Sequence, residues 1–446
     1  MMTFGAARAT LRTDEEVHPG RLLGRLMQRR RSGLLILALA VVAVACSGGE
    51  SEPESAGLPP DWETIANSAR GQTLDLYMWG GSSEINRFVD RTYGPILEEG
   101  YGITLNRVPV ADTVDAVNKV LAELQAGRNN GGSVDLIWIN GENFYTLQQA
   151  NALERGWAHQ LPNARFVDWD SAAVNRDFGL AVDGSESPLG SAQFQFVYDS
   201  ARTNEDSLPR SYTELGDWIA GHPGRFTYPA PPAFHGTRFV KQAFYELTGG
   251  VERWLGSLDE AAFAEGSAGL WDFLTDINPD LWRSGRTFPP DIASLNRLFA
   301  NGEVDFTFTQ LPGGIQAEID AGVLPATARP FVFDTGTIGD FHYLAIPTNA
   351  GDPEAAKVLA NLVLAPALQA AKLDPANGWG DGLAISLDLV HGEDRLALQQ
   401  VMDNLGDAAV SFDRLEEVRL PEVDPAYTLR LEHDWDAFIR QSQLAD

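Results

Sequence analysis

The sequence predicts an α/β protein in two halves, each a mostly parallel sheet flanked by helices. Three observations carry this. Short apolar runs alternate with segments whose apolar residues recur at helical spacing. Between residues 72 and 145 the order is strand, helix, strand, helix, strand, which winds into a parallel sheet. A chain of 446 residues exceeds one ordinary core, and a second series of runs begins after about residue 190.

In the first half, Leu74 to Trp79 is an apolar run that stops at Gly80-Gly81. Ser82 and Ser83 can cap the helix that follows, with Ile85, Phe88 and Val89 on one face. Ile103 to Val108 is the next strand. Asp112 caps a helix carrying Val114, Val117, Leu121 and Leu124, and Gly127 ends it. Val134 to Ile139 is nearly all apolar, as a strand buried on both faces should be. It stops at Asn140-Gly141, and a helix begins near Glu142.

In the second half, Phe194 to Tyr198 reads as a strand and Tyr212 opens a helix. Phe226 to Tyr228 runs into Pro229-Ala230-Pro231-Pro232, which must be a loop, and a helix with Phe239, Phe244 and Leu247 follows. Val304 to Thr309 and Phe341 to Pro347 are late strands, and a helix runs from near Pro353 to before Pro366.

The N-terminus is read apart from the fold. Arg29 to Arg31 precede the apolar run Leu34 to Ala45, a basic region followed by an apolar core ending in small residues. Residues 1–45 are taken as a signal peptide, with Met27 as a start that gives a signal of ordinary length. Cys46, the single cysteine, stands where a lipoprotein signal places its acylated residue. Ala43-Val44-Ala45-Cys46 resembles a lipobox with Ala43 in place of the usual leucine. Residues 46–70 are expected to be lipid anchor and tether, because Ser47 to Pro60 is small, acidic and proline-rich. A lone cysteine excludes an internal disulfide and a cysteine-based metal cluster.

The formal net charge is −29, and removing residues 1–45 leaves 26 basic and 59 acidic residues, or −33. That excludes a basic nucleic-acid footprint and a face lying flat on anionic lipid. Catalytic signatures are sparse: no phosphate-binding glycine loop, no nucleophile elbow, no paired-histidine zinc motif. No catalytic residue, metal site or cofactor is assigned.

Ligands of parallel sheets bind beyond the carboxyl ends of the strands. Candidate ligand-binding residues are therefore Trp79, Gly80, Gly81 and Ser82 after the first strand, with Asn140, Glu142 and Asn143 after the third. Pro231, Phe234 and His235, Gln310 and Pro312, and Trp379 are candidates facing them. Aromatic rings, amides and close backbone suit a noncovalent site for a small molecule. Trp79 and Glu142 would suit a planar or cationic one.

In order, these segments resemble the extracellular solute-binding proteins of ABC importers. Gly190 to Asp199 with Pro209 and Tyr212 to Leu215 looks like the family's crossing strand and its continuation, which adds Tyr198 to the candidates. Phe299 to Asp305, Ile346 to Lys357 and Leu364 to Gln369 look like further family blocks. Gly131 to Phe144, Gly224 to Pro232 and Gly336 to Gly339 are similar to a subgroup related to thiamine-, iron- and polyamine-binding proteins. The adjacent tyrosine pair of iron-binding relatives is absent. The resemblance implies the two-lobed, type II periplasmic-binding-protein fold, with lobe 1 at 71–190 and 330–365 and lobe 2 at 191–329 and 366–446. It implies a monomer that delivers a small solute to ABC permease subunits and touches the membrane only through its anchor. An extracytoplasmic hydrolase using the same cleft is the alternative.

Overall fold

The computed structural model describes residues 62–441. The expected signal peptide, Met27 start and Cys46 lie outside them. The body begins earlier than the tether expected over 46–70 allows. Trp62–Ser68 is a helix, and Trp62 and Ala69 are buried.

The first sheet forms where the alternating pattern placed it. Strands β1 (Thr73–Trp79), β2 (Thr104–Val110) and β3 (Leu136–Ile139) pair in parallel, with β1 between the other two. Their connections are helices started by local chemistry. Ser82 Oγ accepts from the Ile85 amide, and Asp112 accepts from that of Val114. Val117, Ile137 and Phe144 close a core between sheet and helices.

Two long strands leave this sheet. β6 (Glu186–Gln193) and β10 (Thr337–Ala345) pair antiparallel from Glu186 against Ala345 to Gln193 against Gly339. The C-terminal part of β10 also pairs antiparallel with β3. After Phe194, β6 continues directly as β7 (Gln195–Asp199) in a second sheet, flanked by β8 (Phe306–Thr309) and β9 (Ala328–Phe331). The short hairpin of β4 (Arg176–Asp177) and β5 (Leu180–Ala181) precedes the crossing, and β11 (Arg419–Leu420) pairs in parallel with the start of β10.

The second sheet differs in detail from the mostly parallel one expected, since both its pairings are antiparallel. The reason is topological. β7 runs away from the crossing, whereas β9 must run towards it to hand the chain to β10. β8 also runs towards it, ending where the Gln310 carbonyl accepts from the Gln193 amide at 2.8 Å. Phe196, Phe239, Phe308 and Phe333 pack around this sheet, and the C-terminal helix Pro425–Trp435 adds Tyr427, Leu431 and Trp435 to the same core.

The crossing is braced by a buried ion pair. From the helix Pro366–Leu373, Lys372 Nζ donates to the Leu189 carbonyl of β6 at 2.7 Å and to Asp381 Oδ2 at 2.6 Å. Asp381 Oδ1 lies 3.0 Å from His342 Nε2 of β10. Gly190 makes room for this: a Cβ there would lie 2.0 Å from the Asp381 carboxylate.

Candidate functional site

The predicted residues fall into three groups. Trp79 ends β1 at 41% exposure, far too open for a core tryptophan, and its ring folds over Gly81. A Cβ on Gly80 would lie 2.5 Å from that of Pro109, so close approach to β2 requires glycine there. Asn140 occupies the first cap position of the helix Gly141–Gln149 but does not use its side chain. Gly141, at φ +60°, instead donates its amide to Asp177 Oδ2 at 2.7 Å. Glu142 is exposed on the first turn and Asn143 is buried.

From the second lobe, Phe234 and His235 open the helix Phe234–Leu247. Phe234 is exposed and its ring covers the Arg238 guanidinium at 4.9 Å. Burial and the nearby Arg238 charge push the His235 pKa down to about 3. Gly236 lets the first turn approach the loop before it, since a Cβ would meet the Pro229 carbonyl at 1.9 Å. Pro231 precedes a cis peptide to Pro232. Gln310 is buried at the end of β8, with neither amide atom hydrogen-bonded among the described residues, and Pro312 is buried beside it.

Two candidates are not brought to this junction. Tyr198 lies at the far end of β7, buried against Phe331 in the core of the second sheet. Trp379 is buried between Phe88 and Trp138, at ring distances of 5.4 and 5.6 Å, beside a small apolar cavity that also touches Tyr93 and Leu359. Apolar packing against Phe88 and Trp138 claims the Trp379 ring.

What sequence reasoning missed is a buried charge cluster where the lobes meet. Arg238 Nη2 pairs with Asp340 Oδ2 of β10 at 2.5 Å, and its Nη1 lies 2.8 Å from Glu422 Oε1. Lys241 Nζ lies 2.6 Å from Glu422 Oε2 and 5.0 Å from the centre of the Phe178 ring in the first lobe. Asp177 stands beside this group, and Glu186 lies behind it opposite Ala345 in the first sheet. Burial pushes both carboxyls well above the usual carboxylate range; the charges of Asp340, Glu142 and Glu422 add to this at Asp177, and that of Asp177 adds to it at Glu186. Burial also raises Asp340, with Arg238 opposing it. One sequence signal was available: Arg238 and Lys241 stand three apart on a helix otherwise rich in Phe239, Val240, Ala243 and Phe244, where a solvated face was not expected.

Residues 95–380 match the profile of a family described as bacterial extracellular solute-binding protein. Protein YnjB of Escherichia coli strain K12 is 41% identical over 342 residues, 77% of this chain and 87% of that protein. Among solved structures, the spermidine/putrescine substrate-binding protein PotD of Streptococcus pneumoniae aligns with a TM-score of 0.56 at 13% identity, covering 82% of this chain and 99% of that one. Iron-bound HitA of Pseudomonas aeruginosa aligns at 0.52 and 15% identity, covering 81% and 98%. These structural likenesses establish the two-lobed type II periplasmic-binding-protein fold.

Proposed function

The chain belongs to the bacterial extracellular solute-binding proteins, and from that premise we propose that it captures a small solute between its lobes and delivers it to the permease of an ABC importer. The observation that carries the reading is the β6/β10 crossing. It joins two sheets with separate cores and brings charged and amide side chains of both lobes to one junction. Such a pair of strands serves as a hinge, and a solute that binds the closed form better drives closure.

The finer assignments belong to the same proposal. Lobe 1 comprises 71–190 and 330–365, and lobe 2 comprises 191–329 and 366–446. The chain acts as a monomer, held to the membrane by a lipid on Cys46. The solute is cationic or planar. Trp79 offers the ring, and Glu142 stands at the same rim because β1 and β3 are parallel and end on one side. No chemistry is done on the solute. The alternative of a hydrolase finds no support among the relatives, whose family is one of binding proteins.

The test exposes the purified chain to a low-molecular-weight extract of growth medium. A ligand that binds only the folded state raises the melting temperature, by RT ln(1 + [L]/Kd) in free energy. The same fraction should reduce the radius of gyration in X-ray scattering, and the bound compound should be recovered unchanged by mass spectrometry. Recovery of a converted product, or no shift with any fraction, refutes the receptor reading.

A further inference from the structure

The hairpin of β4 and β5 turns through two residues, Phe178 and Gly179, with φ of +46° and +78°. Such a turn favours Asn, Asp or Gly at its first position, and a phenylalanine there holds a backbone conformation that a bulky side chain avoids. Contact made by the ring offsets this. Phe178 is 7% exposed. Its ring lies over Gly141, where a Cβ would come within 3.1 Å of it, and its centre is 5.0 Å from Lys241 Nζ on the helix Phe234–Leu247. The neighbouring residue is just as unusual. Asn140 stands at the first cap position of Gly141–Gln149, yet its side chain makes no cap bond. Asp177 Oδ2, 36 residues further on, accepts from the Gly141 amide at 2.7 Å instead. A buried carboxylate of the hairpin thus does what the local asparagine could do.

The hairpin is rooted in the first lobe. The Tyr343 hydroxyl donates to the Arg176 carbonyl at 3.2 Å, Gln148 Nε2 donates to the Ala181 carbonyl at 3.0 Å, and Leu180 packs on the core of the first sheet. The tip meets the second lobe. Besides the ring on Lys241, a Cβ on Gly179 would lie 3.9 Å from the amide nitrogen of Asp424, which caps the helix Pro425–Trp435. β6 runs on into β7 and stays paired with β10, so the crossing survives a hinge motion. The hairpin tip and the helix Phe234–Leu247 share no strand pairing, and contact between such elements parts when the lobes do. We propose that the β4–β5 hairpin is a closure latch: Phe178 seats on Lys241 as the lobes close, and Asp177, through Gly141, links that seating to Asn140 and Glu142 at the rim. The inference rests on the two-lobed receptor reading and adds the contact that holds its closed form.

The physical argument is one of a prepared seat. Lys241 Nζ is held within the second lobe by Glu422 Oε2 at 2.6 Å and by Thr428 Oγ1 at 3.1 Å, so its position does not depend on the ring. A ring within about 6 Å of an ammonium attracts it through the ring quadrupole, and more strongly where water is excluded. The contact stabilises the closed form alone, so it slows opening and leaves the encounter with solute unchanged. On the other side, Gly141 at φ +60° puts no side chain between the ring and the start of its helix. Movement of the hairpin therefore reaches the first turn of Gly141–Gln149 directly. The competing reading is a permanent clamp that never parts.

The test uses the full chain with Cys46→Ser, which removes the single native thiol. Gly179→Cys and Asp424→Cys are introduced together and joined by a short bis-maleimide, and X-ray scattering compares joined with unjoined protein. Joining should lower the radius of gyration, because the unjoined lobes part. Equal radii would make the contact a permanent clamp, and the inference falls; it falls equally if the two thiols cannot be joined. A second arm follows solute exchange by stopped-flow tryptophan fluorescence, with the medium fraction that shifts wild-type melting as the probe. Phe178→Leu keeps apolar bulk and removes the aromatic face. It should release solute about threefold to tenfold faster and leave the association rate unchanged. Phe178→Asn, which tolerates the positive φ, serves if the leucine variant fails to fold. An unchanged release rate overturns the latch. If no medium fraction binds, the receptor reading fails by itself, and the scattering comparison still decides whether the hairpin parts from the second lobe.

Discussion

Trp79 is the residue at which position and chemistry diverge most from an ordinary core. It ends a buried strand, yet its ring is 41% exposed and rests on a glycine rather than on packed side chains. Truncating a side chain so open shifts stability by no more than about 0.5 kcal/mol. An aromatic surface is worth about 0.5–1.5 kcal/mol beyond area to a stacked partner. Trp79→Ala should therefore keep its melting temperature and lose about tenfold in solute affinity by calorimetry. Loss of folding with affinity spared in the folded remainder would place the cleft elsewhere. Tyr198 and Trp379 mark the limit of residue-scale reading. Both are aromatics near a strand end or glycine, like Trp79, and both are buried. An aromatic side chain does not announce in sequence whether its neighbours will be other rings or water.

Elements were legible where their causes are local. The helix over Thr113–Gln125 starts at the aspartate that caps it, and the one at Tyr212 at Ser211, which accepts from the Glu214 amide. The three strands of the first sheet fall within two residues of their apolar runs. The brace on the crossing strands was not legible, because Lys372, Asp381 and His342 come from three segments with no common pattern. Burial alone would raise the Asp381 carboxyl, but His342 and Lys372 together hold it below the usual carboxylate range. A carboxyl depressed in the folded state contributes stability above its unfolded pKa of about 3.9, and that contribution disappears as pH falls through the folded value. Asp381→Ala strands the buried Lys372 ammonium, and breaking such a pair costs about 3–5 kcal/mol. Urea denaturation at neutral pH should report that loss. The variant's stability should also fall less steeply in acid than that of wild type, because it has already lost the group that titrates. A loss under 1 kcal/mol would mean that the brace is not holding β6.

At the scale of the whole molecule, anchor and receptor are argued from different parts of the chain. The basic, apolar and small-residue series ending at Cys46 lies outside the described residues, whereas the body from Trp62 onward carries both cores. Cys46→Ser should move the protein from the membrane to the soluble fraction and leave solute affinity unchanged. A variant that stays membrane-bound would remove the lipid from the proposal. The high negative charge of the body, expected to exclude nucleic acid, fits a protein that meets solutes outside the cytoplasm, as its family does.

By itself the sequence determined the fold class, the parallel order of the first sheet and the existence of two halves. Each depends on the periodicity of apolar residues and on caps and turns, which act over a few positions. Only the tertiary structure decided that the second sheet is antiparallel, that Tyr198 and Trp379 belong to cores, and that Asp177, Arg238, Lys241, Asp340 and Glu422 share one buried junction. The physical reason is range. Alternating strands and helices are written in neighbouring residues, whereas the partner of a buried charge is set by which distant segments the crossing strands bring face to face.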